Sequence, residues 1–424
     1  MSHDKPAENK LDAENDKFFT TPLIVIFITI FIDLIGFGIV IPILPLYAQS
    51  ELFQASPFWI GQLTAIFSWM QFFFTPILGR LSDKYGRRPI LFVSLLGSAV
   101  GYFVVGAAGT LVVVFIGRAL SGISGGSIST AQAYIADVTT KENRARGMGL
   151  FGAAFGLGFI FGPAIAGVLS KYGIAVPFYF AGFLSLANAV AVYFVLPESL
   201  KPESRLHETP RKGKLAETFE ALGNPTFRGI SLVYFLLITA FSIMTTAYVL
   251  FTAYTFGYTA EQNGYLFAYV GAVSIVMQGF IFGAAAKKFG ESRLAILGCL
   301  ILTAGLFATP YSSPAFGGLA GLLVVSALMA IGNAFATPAL SSLASKNAEA
   351  HEQGRTLGVM QSGGSLARAI GPVICGILLN NSMNMIDAST VYRTYWAAAA
   401  IMFVAFLVAL YFARSVEKKT FRTN

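Results

Sequence analysis

Charge is scarce in this sequence: Asp, Glu, Lys and Arg make up 12% of 424 residues, too little to coat a soluble globule of that size. Lipid is therefore the expected solvent, in keeping with a chain that is 55% hydrophobic and holds 39 Phe. Cysteine and histidine are scarcer still. Cys299 and Cys375 lie in apolar runs without metal-ligand spacing, and His3, His207 and His351 fall in tails or loops, so no zinc or haem site is expected. There is no Gly-x4-Gly-Lys-Ser/Thr phosphate loop and no separate soluble domain, so the chain is read as neither an ATPase nor any other enzyme, without a bound cofactor. The first 20 residues show no short apolar core ahead of a small-residue cleavage site. The first apolar run is accordingly expected to serve as its own targeting signal.

Long apolar runs are what the chain has instead. Crossing about 30 Å of hydrocarbon takes roughly 20 apolar residues per helix, and continuous rather than alternating apolarity selects helices over barrel strands. Roughly twelve runs appear, near 22–47, 60–79, 89–108, 111–135, 147–170 and 176–196, then 229–254, 262–286, 293–311, 316–340, 356–380 and 392–413. Tails over 1–20 and 414–424 and a charged, Pro-containing linker over 197–228 flank two six-run units, 21–196 and 229–413. The units repeat each other. Arg146-Gly-Met-Gly149 leads to Gly162-Pro163-Ala-Ile-Ala-Gly167, and Arg355-Thr-Leu-Gly358 leads to Gly371-Pro372-Val-Ile-Cys-Gly376, an offset of about 209 positions throughout. The expected fold is an all-α membrane protein of two pseudo-symmetric six-helix bundles.

Basic residues follow loop parity. Arg80, Lys84, Arg87 and Arg88, then Lys141, Arg144 and Arg146, the linker, Lys287, Lys288 and Arg293, and finally Lys346 and Arg355 share one side. The opposite loops hold little beyond Lys171 and Arg393. The positive-inside rule places both termini and the linker in the cytoplasm of a cell bounded by this membrane. The net charge of +8 thus reads as topology, with the bilayer rather than nucleic acid as partner.

Ionisable residues inside the spans are the functional candidates, because each costs energy there. Asp33 in the first run lies among Phe31, Ile32, Leu34 and Ile35, where desolvation disfavours its charged form. It is either a proton carrier or a structural carboxylate paired to an arginine. Gly36, Gly38, Pro42 and Pro45 follow it and permit bending or free carbonyls. Arg118, amid small residues in the fourth run, keeps its proton and needs a counter-charge or water; Asp33 is the economical partner, in a coupling pair or a purely structural one. Arg368, in the eleventh, has no acid in its own half and either faces a substrate or snorkels to the rim. Candidate cavity residues by polarity are Gln71, Gln132, Asn188, Gln278, Asn333 and Gln361, with Arg368; interhelical hydrogen bonding is the competing role for each amide.

The loop after the second run reads Gly79-Arg-Leu-Ser-Asp-Lys-Tyr-Gly-Arg-Arg-Pro89. Its glycines allow a tight turn, and Asp83, Arg87 and Arg88 can latch neighbouring spans at a cytoplasmic gate that includes Gly79 and Gly86. A generic basic loop is the plain alternative. A decayed copy, Gly283-Ala-Ala-Ala-Lys-Lys-Phe-Gly290, puts Lys287 where Asp83 stands.

Together these segments resemble the major facilitator superfamily, and within it the drug:proton antiporter branch that includes tetracycline efflux proteins. Gly79 to Arg88 is similar to the signature between spans two and three, Arg118 falls in the fourth-span motif, Gly158-x-x-x-Gly162-Pro163 resembles the fifth-span antiporter motif, and Asp33 matches the first-span acidic motif. The resemblance implies two bundles rocking about a central cavity, Asp33 and Arg118 coupling proton entry to substrate exit, and the Gly-Pro segments, including Gly371 and Pro372, packing and bending between bundles. It departs where tetracycline exporters carry further ionisable residues in second-half spans: only Arg368 is found there, which speaks against a tetracycline–metal chelate as substrate.

Proton-driven export of small amphipathic molecules is the leading expectation. A facilitator or symporter for an organic anion or nutrient, bound by Arg118 and Arg368, stays open, as does a non-transporting receptor or lipid flippase on the same scaffold. One twelve-span chain closes a complete pathway, so a monomer is expected.

Overall fold

The computed structural model describes residues 20–140, 143–200, 223–347 and 353–420; the bulk of the expected linker, most of the N-terminal tail, all three histidines and Lys141 lie outside them. The first bundle comprises α1 (Thr21–Gln49), α2 (Pro57–Tyr85), α3 (Arg87–Gly106), α4 (Leu111–Val138), α5 (Arg144–Ser170) and α6 (Val176–Val195). The second comprises α7 (Pro225–Phe256), α8 (Ala260–Phe289), α9 (Glu291–Ala308), α10 (Gly318–Lys346), α11 (Gln353–Leu379) and α12 (Ala388–Thr420). Among the described residues, 11 helices are long and apolar enough to cross a membrane. The remaining one, α2, has 29 residues but carries Gln62 and Gln71 within it and Arg80, Asp83 and Lys84 at its end.

Several helices run past the ends of the apolar runs that the sequence shows. α7 begins at Pro225, four residues before the expected 229, because the Asn224 side chain accepts from the Thr226 and Phe227 N–H groups and Pro225 fits the first turn. α12 continues to Thr420, past the expected boundary at 413. Pro42 and Pro45 lie inside an uninterrupted α1. The breaks fall elsewhere: α4 is interrupted between Ser124 and Ser127, and α8 makes a π turn over Met277–Ile281. The tight turn expected at Gly86 is present, with φ 109°, and Gly290 repeats it with φ 81°, backbone angles that strain any side chain.

Close helix approach at glycine organises the packing. A methyl on Gly162 would lie 2.7 Å from Gly38 Cα, and one on Gly158 would lie 2.6 Å from Leu34 Cβ, so α5 seats directly on α1. Gly158 and Gly162 thus pack against α1 of the first bundle, while Pro163 touches both bundles. The contact between bundles runs along the same helix: a methyl on Gly271 of α8 would lie 2.1 Å from Ile160 Cγ1, and one on Gly264 would meet the Pro163 carbonyl oxygen at 2.6 Å and Gly167 Cα at 2.7 Å. The second half repeats both steps. Gly371 approaches Ser242 and Thr239 of α7, whereas Gly376 and the Pro372 carbonyl approach Gly61 of α2, which a methyl would bring to 2.4 Å from that oxygen. Small residues let helices approach in lipid, where apolar surface alone gives little drive to associate.

These crossings close one end of the molecule, where Lys171 Nζ also pairs with Glu261 Oε1 at 2.8 Å across the bundles. Nearby, the Arg393 guanidinium donates to the Leu378 and Asn380 carbonyls that end α11. Asp387 caps α12, and hydrogen bonds from Ser389, Asn381 and the Thr390 N–H hold its carboxyl down to about 2. At the other end, which carries the 79–88 loop, the same helices part. Side chains built on Gly149, Gly152, Gly156, Gly279, Gly283 and Gly358 would meet nothing within 4 Å. The buried apolar residues divide in the same way: Ile39, Ile43, Leu63 and Phe178 are continuous with the second-half core, whereas Leu23, Ile26, Leu91, Tyr134 and Val192 form a separate cluster.

Gly264→Ala should therefore force backbone apart at a cost of about 1–3 kcal/mol and lower the thermal unfolding midpoint in detergent. Gly152→Ala, with open space around it, should leave the midpoint level or raise it; equal loss in both variants would contradict this account of the seam.

Candidate functional site

Asp33 is half-buried on α1, where Ser127 Oγ donates to its Oδ2 at 3.4 Å. Ser127 is available because α4 restarts at that residue after its break. The break is stabilised by Gln71, whose amide donates to the Gly125 carbonyl at 3.0 Å and satisfies an acceptor that would otherwise face apolar surroundings. Beside Asp33 lies a void of about 10 Å3, lined by Thr29, Ser127, Leu91, Leu95 and Phe151, with room for about one water.

Arg118 does not pair with Asp33 in this conformation. Its side chain is 4% exposed, its Cζ stacks 4.6 Å from the centre of the Phe67 ring, and its Nε has no hydrogen-bond partner. The separation follows from α4: Asp33 meets that helix at Ser127, nine residues beyond Arg118, a rise of about 13 Å at helical pitch. The buried Tyr102 phenol of α3 is close enough to interact with both groups. The acid and the base thus share a neighbour rather than a bond.

In the second half Arg368 is half-buried, and its Nη2 donates to Ser365 Oγ at 3.0 Å. Its guanidinium also interacts with the Tyr234 phenol of α7, which donates to Gln361 Oε1 at 3.4 Å. Asn333 accepts from Thr337 at 2.9 Å within α10. Gln132 is half-buried on α4. Asn188 ties α6 to the Thr29 carbonyl at 2.9 Å, and Gln278 is exposed on the π turn of α8. Of the polarity-based candidates, Gln71 and Asn188 therefore make interhelical bonds, while Gln361 and Arg368 stand together.

The 79–88 loop forms a network wholly inside the first bundle. Arg87 binds Asp83 at 2.5 Å, Asp137 at 3.1 Å and Ser82 at 2.7 Å, while the Glu198 carboxylate accepts from the Arg87 and Arg88 N–H groups at 2.8 and 3.2 Å. Arg88 donates to the Tyr193 carbonyl at the end of α6 and lies over the Tyr193 ring. Among the described residues, Asp83, Arg87 and Arg88 thus find their hydrogen-bond and ion-pair partners within the first half, and a methyl built on Gly79 would lie 3.7 Å from Ser129 Oγ. Sequence reasoning missed Asp137 and Glu198; the available signal was that both acids close a span on the same side as the basic cluster. Glu198 sits at the α3 N-terminus, where a carboxylate is favoured by about 0.3–1 kcal/mol. Glu198→Ala should lower the unfolding midpoint measurably, and Arg80→Ala, at an exposed residue, should not.

Comparison with known proteins places this geometry. The Major Facilitator Superfamily family model matches residues 26–372 and 230–424. The tetracycline resistance protein, class H, of Pasteurella multocida is 30% identical over 92% of this chain and 95% of its own. Multidrug resistance protein 2 of Bacillus subtilis (strain 168) is 30% identical over 85% of this chain and 89% of its own. Among solved structures, the human organic anion transporter MFSD10 (TETRAN) has TM-score 0.68 at 23% identity, covering 92% of this chain and 99% of that one. A bacterial homologue of the human lysosomal transporter Spinster, in an inward-facing and unoccupied conformation, has TM-score 0.73 at 15% identity, covering 94% and 98%. The two structural likenesses are of fold; the sequence matches go further, and this twelve-helix membrane chain belongs to the major facilitator superfamily of transporters.

Proposed function

We propose that the chain exports small amphipathic molecules in exchange for protons, by alternating access between its two bundles. The observation that carries this reading is Asp33, a half-buried carboxyl in the middle of α1 whose hydrogen-bond partner is a hydroxyl rather than a cation. A carboxyl so placed can take up and release a proton without breaking an ion pair. The names of the tetracycline and multidrug resistance relatives support export as the direction. We further assign the basic end and both termini to the cytoplasm of the cell membrane, by the positive-inside rule, and a monomer as the working unit. The conformation described is then open to the cytoplasm and closed outside. Substrate would load from the basic end, the bundles would rock, and protonation of Asp33 from outside would accompany release. Asp83, Arg87 and Arg88 hold the cytoplasmic rim of the first bundle as one rigid body, with Gly86 setting its turn.

A second reading is favoured by the arginines. Among the described residues Arg118 and Arg368 have no carboxylate partner, which suits a facilitator or symporter for an organic anion or nutrient.

Proteoliposomes holding an imposed pH gradient distinguish the two. Gradient-driven accumulation of lipophilic drugs should be lost in Asp33→Asn with folding intact. Gradient-independent anion flux that survives this substitution would replace export with the facilitator reading.

A further inference from the structure

The cycle proposed above gives no role to the π turn of α8, Met277–Ile281. Four of its 5 residues, Gln278 to Ile281, are exposed, so packing in this conformation gives little reason for it. A π turn closes i→i+5 bonds and so takes one residue more than a turn of α-helix; such turns are rare and gather at functional sites. Glycine spacing shows where the extra residue counts. Gly149 and Gly167 of α5 stand 18 residues apart, as do Gly358 and Gly376 of α11 and Gly61 and Gly79 of α2. That interval makes five whole turns, about 27 Å, so each pair shares one face of its helix, with a glycine toward either end. The corresponding pair in α8, Gly264 and Gly283, stands 19 residues apart. In a regular helix the odd residue would swing Gly283 about 100° off that face. The π turn lies between the two glycines and takes it up.

At the closed end these glycines already touch across the bundles, Gly167 with Gly264 and Gly376 with Gly61. At the parted end Gly149, Gly283 and Gly358 have open space, and Gly79 has only Ser129 near it. The antiparallel helices α5 and α8 keep strict register along their contact: seven residues on from Gly264, Gly271 meets Ile160, seven back from Gly167. Carried further, that register sets Gly279 opposite Gly152, both now in open space, and in a regular α8 it would set Gly283 opposite Met148. With one residue absorbed by the π turn, Gly283 falls opposite Gly149 instead. On the other seam α2 and α11 need no correction, because their equal spacings already set Gly79 opposite Gly358.

We propose that the π turn is a register device for the opposite conformation: it turns Gly283 onto the face of α8 that closes on Gly149 of α5, so that the basic end seals by the same backbone approach that now seals the other end. A regular α8 would present Gly283 to the Met148 side chain and hold the two helices apart. The inference rests on the alternating-access reading above and specifies which residues of α5 and α8 meet when the basic end closes.

The test uses the full chain in proteoliposomes, with Cys299→Ala and Cys375→Ala as background and cysteines introduced in pairs, since a disulfide forms only where Cα atoms come within about 7 Å. Under a pH gradient with a lipophilic drug, the pair Gly149→Cys and Gly283→Cys should cross-link on oxidation several times faster than the pair Met148→Cys and Gly283→Cys, and transport should be lost until the bridge is reduced. Deleting Gln278, which restores the common spacing in α8, should keep the Gly149 cross-link; inserting an alanine after Ile281 should abolish it. Cross-linking of the Met148 pair as fast as that of the Gly149 pair, survival of the Gly149 cross-link after the insertion, or its loss on deleting Gln278 from protein that still purifies as a single species, would overturn the register assignment. The pair Gly79→Cys and Gly358→Cys separates that failure from failure of the reading beneath it. Cross-linking there without cross-linking of Gly149 to Gly283 removes the register device alone, whereas absence of both cross-links removes closure of the basic end and with it alternating access.

Discussion

Backbone-to-backbone approach at glycine is the constraint on which the remainder of the structure depends. In lipid, apolar side chains have no preference for each other over acyl chains, so helices stay together where their surfaces can touch over the greatest area. Gly162 packing against α1 and Gly167 against α8 make α5 a shared wall, and Gly371 against α7 with Gly376 against α2 do the same for α11. Each of these helices belongs to one bundle by its first glycine and joins the other by its second. That division explains why both bundles stay intact while meeting only toward one end.

Charge is handled differently at the rims and in the interior. At the basic end the two halves use the same pairing with the signs reversed: Arg87 at the start of α3 binds Asp137 near the end of α4, whereas Glu291 at the start of α9 binds Lys346 at the end of α10. The equivalent helices are thus stitched in both bundles by ion pairs between their own side chains. Inside, the pattern is the opposite. Asp33 rests on a hydroxyl, Arg118 on a ring and Arg368 on hydroxyls, so the polar groups that cost most to bury are those left without counter-charges among the described residues.

Much of this was legible in the sequence, for identifiable reasons. Twelve apolar runs fix the helices, because the bilayer permits few alternatives, and the duplicated Gly-Pro segments announce two equivalent bundles. Individual polar residues inside apolar runs are conspicuous, which is how Asp33, Arg118 and Arg368 stood out. Their partners were not legible. The choice of Phe67 over Asp33 for Arg118 depends on rotation about α4 and on its interruption near Gly125, which hydropathy does not encode. Gln71 illustrates the same limit: its polarity suggested the cavity, yet it serves a carbonyl released by that interruption. Helix ends beyond the lipid, as at Thr420, were missed because apolarity marks solvent rather than hydrogen bonding.

The strength of the closed end matters as much as its shape. Its crossings are van der Waals contacts between small residues, and the ion pair there, Lys171 with Glu261, has side chains 49% and 31% exposed. A pair so hydrated is worth about 0–1 kcal/mol. No hydrogen-bonded network among the described residues comparable to that around Arg87 spans the two bundles at this end, so separating them there breaks few directional bonds. The rim networks, by contrast, are confined to single bundles and survive such a motion unchanged. Rigid bundles joined by a weakly directional seam suit the alternating access proposed above: such a motion needs a seam stable enough to exclude water, yet within reach of the few kcal/mol that differential binding of one small molecule or one proton supplies.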